Sequence, residues 1–136
     1  MVSPKWSGLG WPESGEHGQI WRMACLDHSW RKSTHEDATT LYFDGDFMPI
    51  GSRRFAGKED GVSPDWSLVM GDMLVFGARF LILQHNHPSG DPSPSMSDIV
   101  VTRSLCAMLR PLRLKLIDHV IWAGDRHYSF RANGLM

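Results

Sequence analysis

The sequence predicts an α/β fold, a mixed β-sheet with helices packed on it, and three observations predict it. A β-branched and aromatic run turns back on itself through Asp44-Gly45-Asp46 in "ATTLYFDGDFMPIG", a hairpin signature. Two stretches repeat apolar residues at three- and four-residue steps, the spacing of helices with one buried face. Between them "RFLILQHNH" holds an unbroken apolar run from Phe80 to Leu83, as expected of a strand inside a sheet covered on both sides.

In chain order, residues 1–33 form an arm rich in Gly, Ser and Trp (Trp6, Trp11, Trp21, Trp30) without sustained periodicity. Four tryptophans predict that part of the arm packs on the body or on a partner. Residues 34–136 are expected to form the folded domain. Thr39 to Phe43 and Phe47 to Ile50 make the first hairpin, and "SRRFAGKEDGV" reads as a polar connection. A helix then follows, with Ser63 as cap, Pro64 in the first turn and Asp65 at the positive end of the dipole. Trp66, Val69, Met70, Met73 and Leu74 give its apolar face, and Gly77 ends it. After the Phe80 strand, Met96 to Leu109 reads as a second helix stopped by Pro111. "LRLKLIDHVIW" and "HYSF" close the domain as a hairpin around "AGDR".

The totals bound the function. A chain of 136 residues is one domain with a real core, and its net charge of −1 gives no global attraction to nucleic acid or anionic lipid. A basic excess after residue 98, six Lys and Arg against two Asp, reads as a solvated face. Cys25 and Cys106 form no CxxC pair and make no disulfide framework. Nothing approaches the ~18 consecutive apolar residues of a membrane span, and no secretory signal stands at the N-terminus, so a cytoplasmic protein is expected.

The chemistry concentrates in "HNHPSGDPSPSMSD", residues 85–98. Residues i and i+2 of a strand share a face, so His85 and His87 project together from the end of a buried strand. Pro88 keeps His87 extended. The proline-restricted turn returns the chain to Asp98, which supplies a third donor. Two imidazoles, a carboxylate and an open fourth position are the donor set of a catalytic zinc. Ser95 and Asp98 taken alone also read as a helix start, a serine cap with an acid three residues on. The two readings are compatible. A hydrolytic metal needs a proton acceptor, and the four glutamates are Glu13, Glu16, Glu36 and Glu59. Glu36 is preferred because it immediately precedes a regular strand, with Glu59 second.

His85-x-His87-x7-Ser95-x-x-Asp98, with Glu36 upstream, resembles the JAMM metalloprotease signature of JAB/MPN domains. "HNHPSGDPSPSMSDIVVT" resembles the bacterial RadC branch in particular. "EDATTLYFD", "LIDHVIW" and "YSF" extend the likeness over residues 34–132. The resemblance implies a cytidine-deaminase-like fold and a Zn2+ held by His85, His87 and Asp98. It also implies Glu36 as general acid/base, Ser95 as oxyanion donor, and a peptide or isopeptide substrate. Full-length RadC proteins carry a preceding helix-hairpin-helix region. Residues 1–33 are expected to be too short and irregular for one, so a DNA-repair role is not expected to follow.

Two other readings compete. A metal-dependent nuclease is the runner-up, since Asp118-His119 resembles the opening of an HNH unit, but the expected asparagine and final histidine on a helix do not follow. His119 is instead expected to be a core or supporting residue bonded through Asp118 or backbone. A non-catalytic MPN scaffold is the third reading, set against the intact motif. A nucleobase deaminase would need H-x-E and P-C-x-x-C, which are absent.

Overall fold

The structure is a computed structural model that describes residues 29–57 and 61–136. Trp6, Trp11, Trp21, His17, His28, Cys25, Glu13, Glu16 and Glu59 lie outside the described residues. Among the described residues, five strands form one sheet: β1 (Ala38–Phe43), β2 (Pro49–Phe55), β3 (Phe80–Asn86), β4 (Lys115–Ala123) and β5 (Arg126–Ser129). Their order is β2-β1-β3-β4-β5. β3 pairs antiparallel with β1 and parallel with β4, while β1–β2 and β4–β5 are antiparallel hairpins, so the sheet is mixed. The apolar run therefore sits at the centre, hydrogen-bonded on both edges.

Helices α1 (Trp66–Phe76) and α2 (Met96–Leu109) both pack on one face. Val69 and Met73 of α1 and Leu105 and Leu109 of α2 join Ala38, Tyr42, Leu81, Leu83 and Leu116 in one core. The opposite face carries two smaller clusters. Leu41, Phe43, Ile82 and Ile117 pack with Phe47, and Trp30, from a 3-10 turn at Ser29–Lys32, packs on Val120 and Trp122. Arg31 stacks over the Trp122 ring at 3.4 Å. Burial of both faces of β3 thus follows the sequence, but both helices share one side.

Four local features differ from the sequence reading. β2 continues through Ser52 to Phe55, inside the stretch read as a connection, because Arg53 and Arg54 find carboxylate partners in Asp72 and Asp37. The cap of α1 is Asp65, not Ser63; its carboxylate accepts from the N–H groups of Ser67 and Leu68. The same helix is rotated so that Asp72 faces the sheet, leaving Leu74 outside. α2 ends at Leu109, where the sequence reading ends it; Pro111 lies in the 3-10 turn over Arg110–Leu112 that follows, and the chain reverses at Arg113 in a left-handed conformation. Phe47, read as the start of the return strand, instead precedes β2 with a positive φ that is uncommon for an aromatic residue; stacking on Phe80 at 4.2 Å accompanies it.

Asp72 ties three elements together. It accepts from Tyr42 Oη at 2.8 Å and from Arg53 Nε and Nη2 at 2.5 and 2.7 Å. Burial pushes the Tyr42 phenol up to about 12, so it donates as a neutral hydroxyl. The Arg53 hydrogen bonds hold the Asp72 carboxyl below its ordinary value of 3.8 against the opposing effect of burial. Asp72→Ala should cost about 1–3 kcal/mol in urea unfolding at pH 7, toward the lower end because Arg53 is partly solvated. A folded pKa below the unfolded one stabilises above the unfolded value and is lost as pH falls through the folded value. The difference between Asp72→Ala and the parent should therefore be constant above about pH 5 and shrink on acidification below about pH 4.

Candidate metal centre

β3 is held by β1 through the Ala38–His85 pair and by β4 through His85–Ile121 and Asn86–Trp122. Just beyond the strand, the His87 N–H donates to the Trp122 carbonyl at 2.7 Å, extending the parallel pairing by one residue. Pro88 and Gly90 then occupy the second and fourth positions of a turn closed by Gly90 N–H on the His87 carbonyl, and Gly90 has φ +87°. The chain returns at Ser95, whose side chain accepts the Asp98 N–H at 3.1 Å while the Asp98 carboxylate accepts the Ser95 N–H at 2.8 Å. This capping box aims the carboxylate back at the strand end.

His85, His87 and Asp98 converge as the sequence predicts: one donor atom from each lies within 4.8 Å of the others. His85 Nε2 is 3.0 Å from His87 Nε2, and these nitrogens stand 3.3 Å from Asp98 Oδ1 and Oδ2 respectively. The bonds behind them set the tautomers. A carbonyl only accepts, so the Thr102 hydroxyl donates to the Asp98 carbonyl at 2.7 Å. Thr102 Oγ1 then accepts from His119 Nδ1–H at 2.7 Å, which leaves His119 Nε2 to accept from His85 Nδ1–H at 2.8 Å. His85 Nε2 therefore presents a lone pair. His87 Nδ1–H donates to the Asp91 carbonyl at 2.9 Å, so neutral His87 also presents a lone pair at Nε2. Two lone pairs and a carboxylate face one another, and a cation is what such a constellation attracts. Two imidazole nitrogens and a carboxylate oxygen also fit the donor set that zinc favours.

The electrostatics agree. Burial opposes ionisation of Asp98, but the Nε2–H bonds that His85 and His87 offer when protonated, with the positive charge of His85, outweigh it and hold the carboxyl far below the ordinary carboxylate range. Once protonated, His87 donates from Nε2 to Asp98, which raises its pKa against the opposing effect of burial, with a further contribution from the charge of Glu36; a bound cation takes the place of that proton. Burial keeps His119 neutral, with its pKa well below the ordinary histidine value, as its role as acceptor requires.

His85, His87, Asp98, Glu36 and Ser95 line one cleft of about 710 Å³, walled by Ala38, Val62, Trp66 and Val101. Glu36 is half-buried, and Gly57 abuts it so closely that a Cβ there would overlap the Glu36 carbonyl. Ser95 is exposed; it uses an oxygen lone pair in the cap, which leaves its hydroxyl proton to donate. His119 is a supporting residue as expected, but its partners are His85 and Thr102 rather than Asp118 or backbone. Thr102 was legible only as a member of the second helix. Its link to His119 spans 17 residues and arises when α2 settles on β4.

The sequence matches the RadC-like JAB domain family over residues 19–135. It is 37% identical over 118 residues to a UPF0758 protein of Rhodobacter capsulatus, covering 84% of this chain and 55% of that protein. It is 38% identical over 82 residues to UPF0758 protein YfjY of Escherichia coli, covering 60% and 51%, and 33% identical over 102 residues to YkfG of the same organism, covering 74% and 65%. The chain thus spans about half the length of the first two relatives.

The hydrogen-bond chain behind His85 makes a prediction independent of any substrate. His119→Phe retains a ring to stack on Phe130, which lies 4.6 Å away, but removes the acceptor for His85 Nδ1–H. Zinc affinity, measured by competition with a chromophoric chelator, should fall by about 10- to 100-fold. Unchanged affinity in a folded variant would mean that His85 is oriented by the strand alone.

Proposed function

Because the chain belongs to the RadC-like JAB domain family, we propose that it is a zinc-dependent hydrolase of peptide or isopeptide bonds. The observation that carries this reading is the convergence of two imidazole lone pairs and a carboxylate on one point at the floor of a cleft. His85, His87 and Asp98 would hold the ion. Zinc so held supplies a Lewis acid that acidifies water and polarises a carbonyl.

This chain's own residues supply the rest. Glu36 lines the same cleft as the histidines and takes a proton from the attacking water, then returns it to the departing amine nitrogen as the C–N bond breaks. The Ser95 hydroxyl, fixed by its place in the capping box, donates to the oxygen that gains negative charge on the reacting carbonyl. Ala38, Val62, Trp66 and Val101 form apolar walls suited to side chains flanking a peptide bond.

The lining also favours a peptide over nucleic acid. Among the described residues, no lysine or arginine lines the cleft, while Glu36 and Asp98 do. A phosphodiester substrate would meet those carboxylates and, among the described residues of the lining, no cationic side chain to neutralise it. Among the described residues, no helix is long and apolar enough to cross a membrane.

Zinc-loaded protein should cleave members of a fluorogenic peptide and isopeptide library. A chelator should stop the cleavage, and added zinc should restore it. Glu36→Gln should retain about one equivalent of zinc and lose about 10²–10⁴-fold in turnover. Full zinc occupancy with no cleavage of any library member would favour a scaffold. Metal-dependent cutting of plasmid or single-stranded DNA that disappears in His85→Ala would replace the peptidase with a nuclease.

A further inference from the structure

Asn86 stands between the two histidines, and strand alternation turns it to the other side of the sheet. It is fully buried. Its Oδ1 accepts the Asp37 N–H at 2.6 Å, and its Nδ2 donates to the carbonyls of His35 at 3.0 Å and Ser33 at 3.4 Å. The backbone repeats the link, with Asn86 N–H donating to the Asp37 carbonyl at 3.3 Å. The polarity of these backbone partners fixes which end of the carboxamide is which. The His35 carbonyl belongs to the peptide group before Glu36, and the Asp37 N–H belongs to the peptide group after it. One side chain therefore grips both peptide groups that flank Glu36.

We propose that Asn86 is the positioning residue for Glu36. Its carboxamide clamps the backbone on either side of Glu36 and thereby fixes where that carboxylate enters the cleft. The inference rests on the reading of Glu36 as proton carrier. A carboxamide suits the task because it offers an acceptor and a donor in one plane, whereas an aspartate would set an anion against two carbonyl oxygens. A second anchor lies on the far side of Glu36. The Asp37 carboxylate accepts from Gly57 N–H at 3.0 Å and from Arg54 Nη2 at 2.7 Å, tying the same segment to β2 and the loop that follows it. The geometry also links the two halves of the site. A displacement along β3 that moved the histidines would carry the Glu36 clamp with it, so one strand end registers both metal donors and proton carrier.

The test uses the full zinc-loaded chain with Asn86→Ser, which shortens the side chain beyond reach of the flanking peptide groups, and with Asn86→Leu, which keeps its size and neutrality but offers neither acceptor nor donor. Asp37 amide hydrogen exchange should rise by about tenfold or more in either variant. Zinc affinity should stay within about threefold of the parent, unlike a variant that loosens the ligands themselves. On a cleaved library peptide, kcat should fall with KM little changed. The same substitution should add nothing in a Glu36→Gln background, as expected when one residue acts through another. Unaltered Asp37 exchange in either folded variant would overturn the proposal. So would a parallel loss of zinc affinity, or full additivity with Glu36→Gln. Raised exchange with retained zinc, in a parent that cleaves nothing, would support the clamp while removing the hydrolase reading.

Discussion

The architecture of the site depends on the C-terminal end of one strand. β3 is hydrogen-bonded to β1 on one side and β4 on the other, and the His87 N–H carries the β4 pairing one residue past the strand's end. A backbone held on both edges has little freedom to twist, so successive side chains leave it in fixed and opposite directions. His85 and His87 enter the cleft while Asn86 turns away from it. A β3 slipped by one residue against its neighbours would exchange the two faces, burying histidines where Asn86 now sits. The apolar residues Leu81, Ile82 and Leu83, all nearly inaccessible, hold that register by packing on both sides of the sheet.

Around this strand end, the buried polar groups form connected networks rather than isolated pairs. Thr102, His119 and His85 make one chain; Asn86, Asp37, Arg54 and Gly57 make another. An unpaired buried polar group costs more than a hydrogen bond returns, so such networks persist when every member is satisfied. Here they serve orientation. The first presents a lone pair at His85 Nε2, and the second holds the segment carrying Glu36. The Asp72 network with Tyr42 and Arg53 lies apart and joins α1 to the β1–β2 hairpin.

Much of this was legible in the sequence because its signals are local. Period-two alternation placed His85 and His87 on one face, and Ser95-x-x-Asp98 marked the start of α2 at the residue observed. The unbroken run from Phe80 identified a buried strand. What escaped depends on partners distant along the chain. Arg53 and Arg54 read as loop residues until Asp72 and Asp37 reach them across the fold, which is why β2 is longer than its sequence pattern shows. The inward turn of Asp72 likewise sets the rotation of α1 and leaves Leu74 exposed, against the expectation from apolar spacing. Thr102 and Asn86 carry no local mark of their partners. Only folding brings Thr102 to His119 and Asn86 to Asp37, 49 residues earlier.

The central claim is that His85, His87 and Asp98 bind a single divalent ion. Diffraction from zinc-loaded crystals, with anomalous data on either side of the zinc absorption edge, tests it most directly. One strong anomalous peak is expected about 2.0–2.2 Å from His85 Nε2, His87 Nε2 and an Asp98 carboxylate oxygen, with the Glu36 carboxylate facing the remaining open side. A peak elsewhere would contradict it, as would three side chains bonded only to protein neighbours in crystals shown to contain zinc.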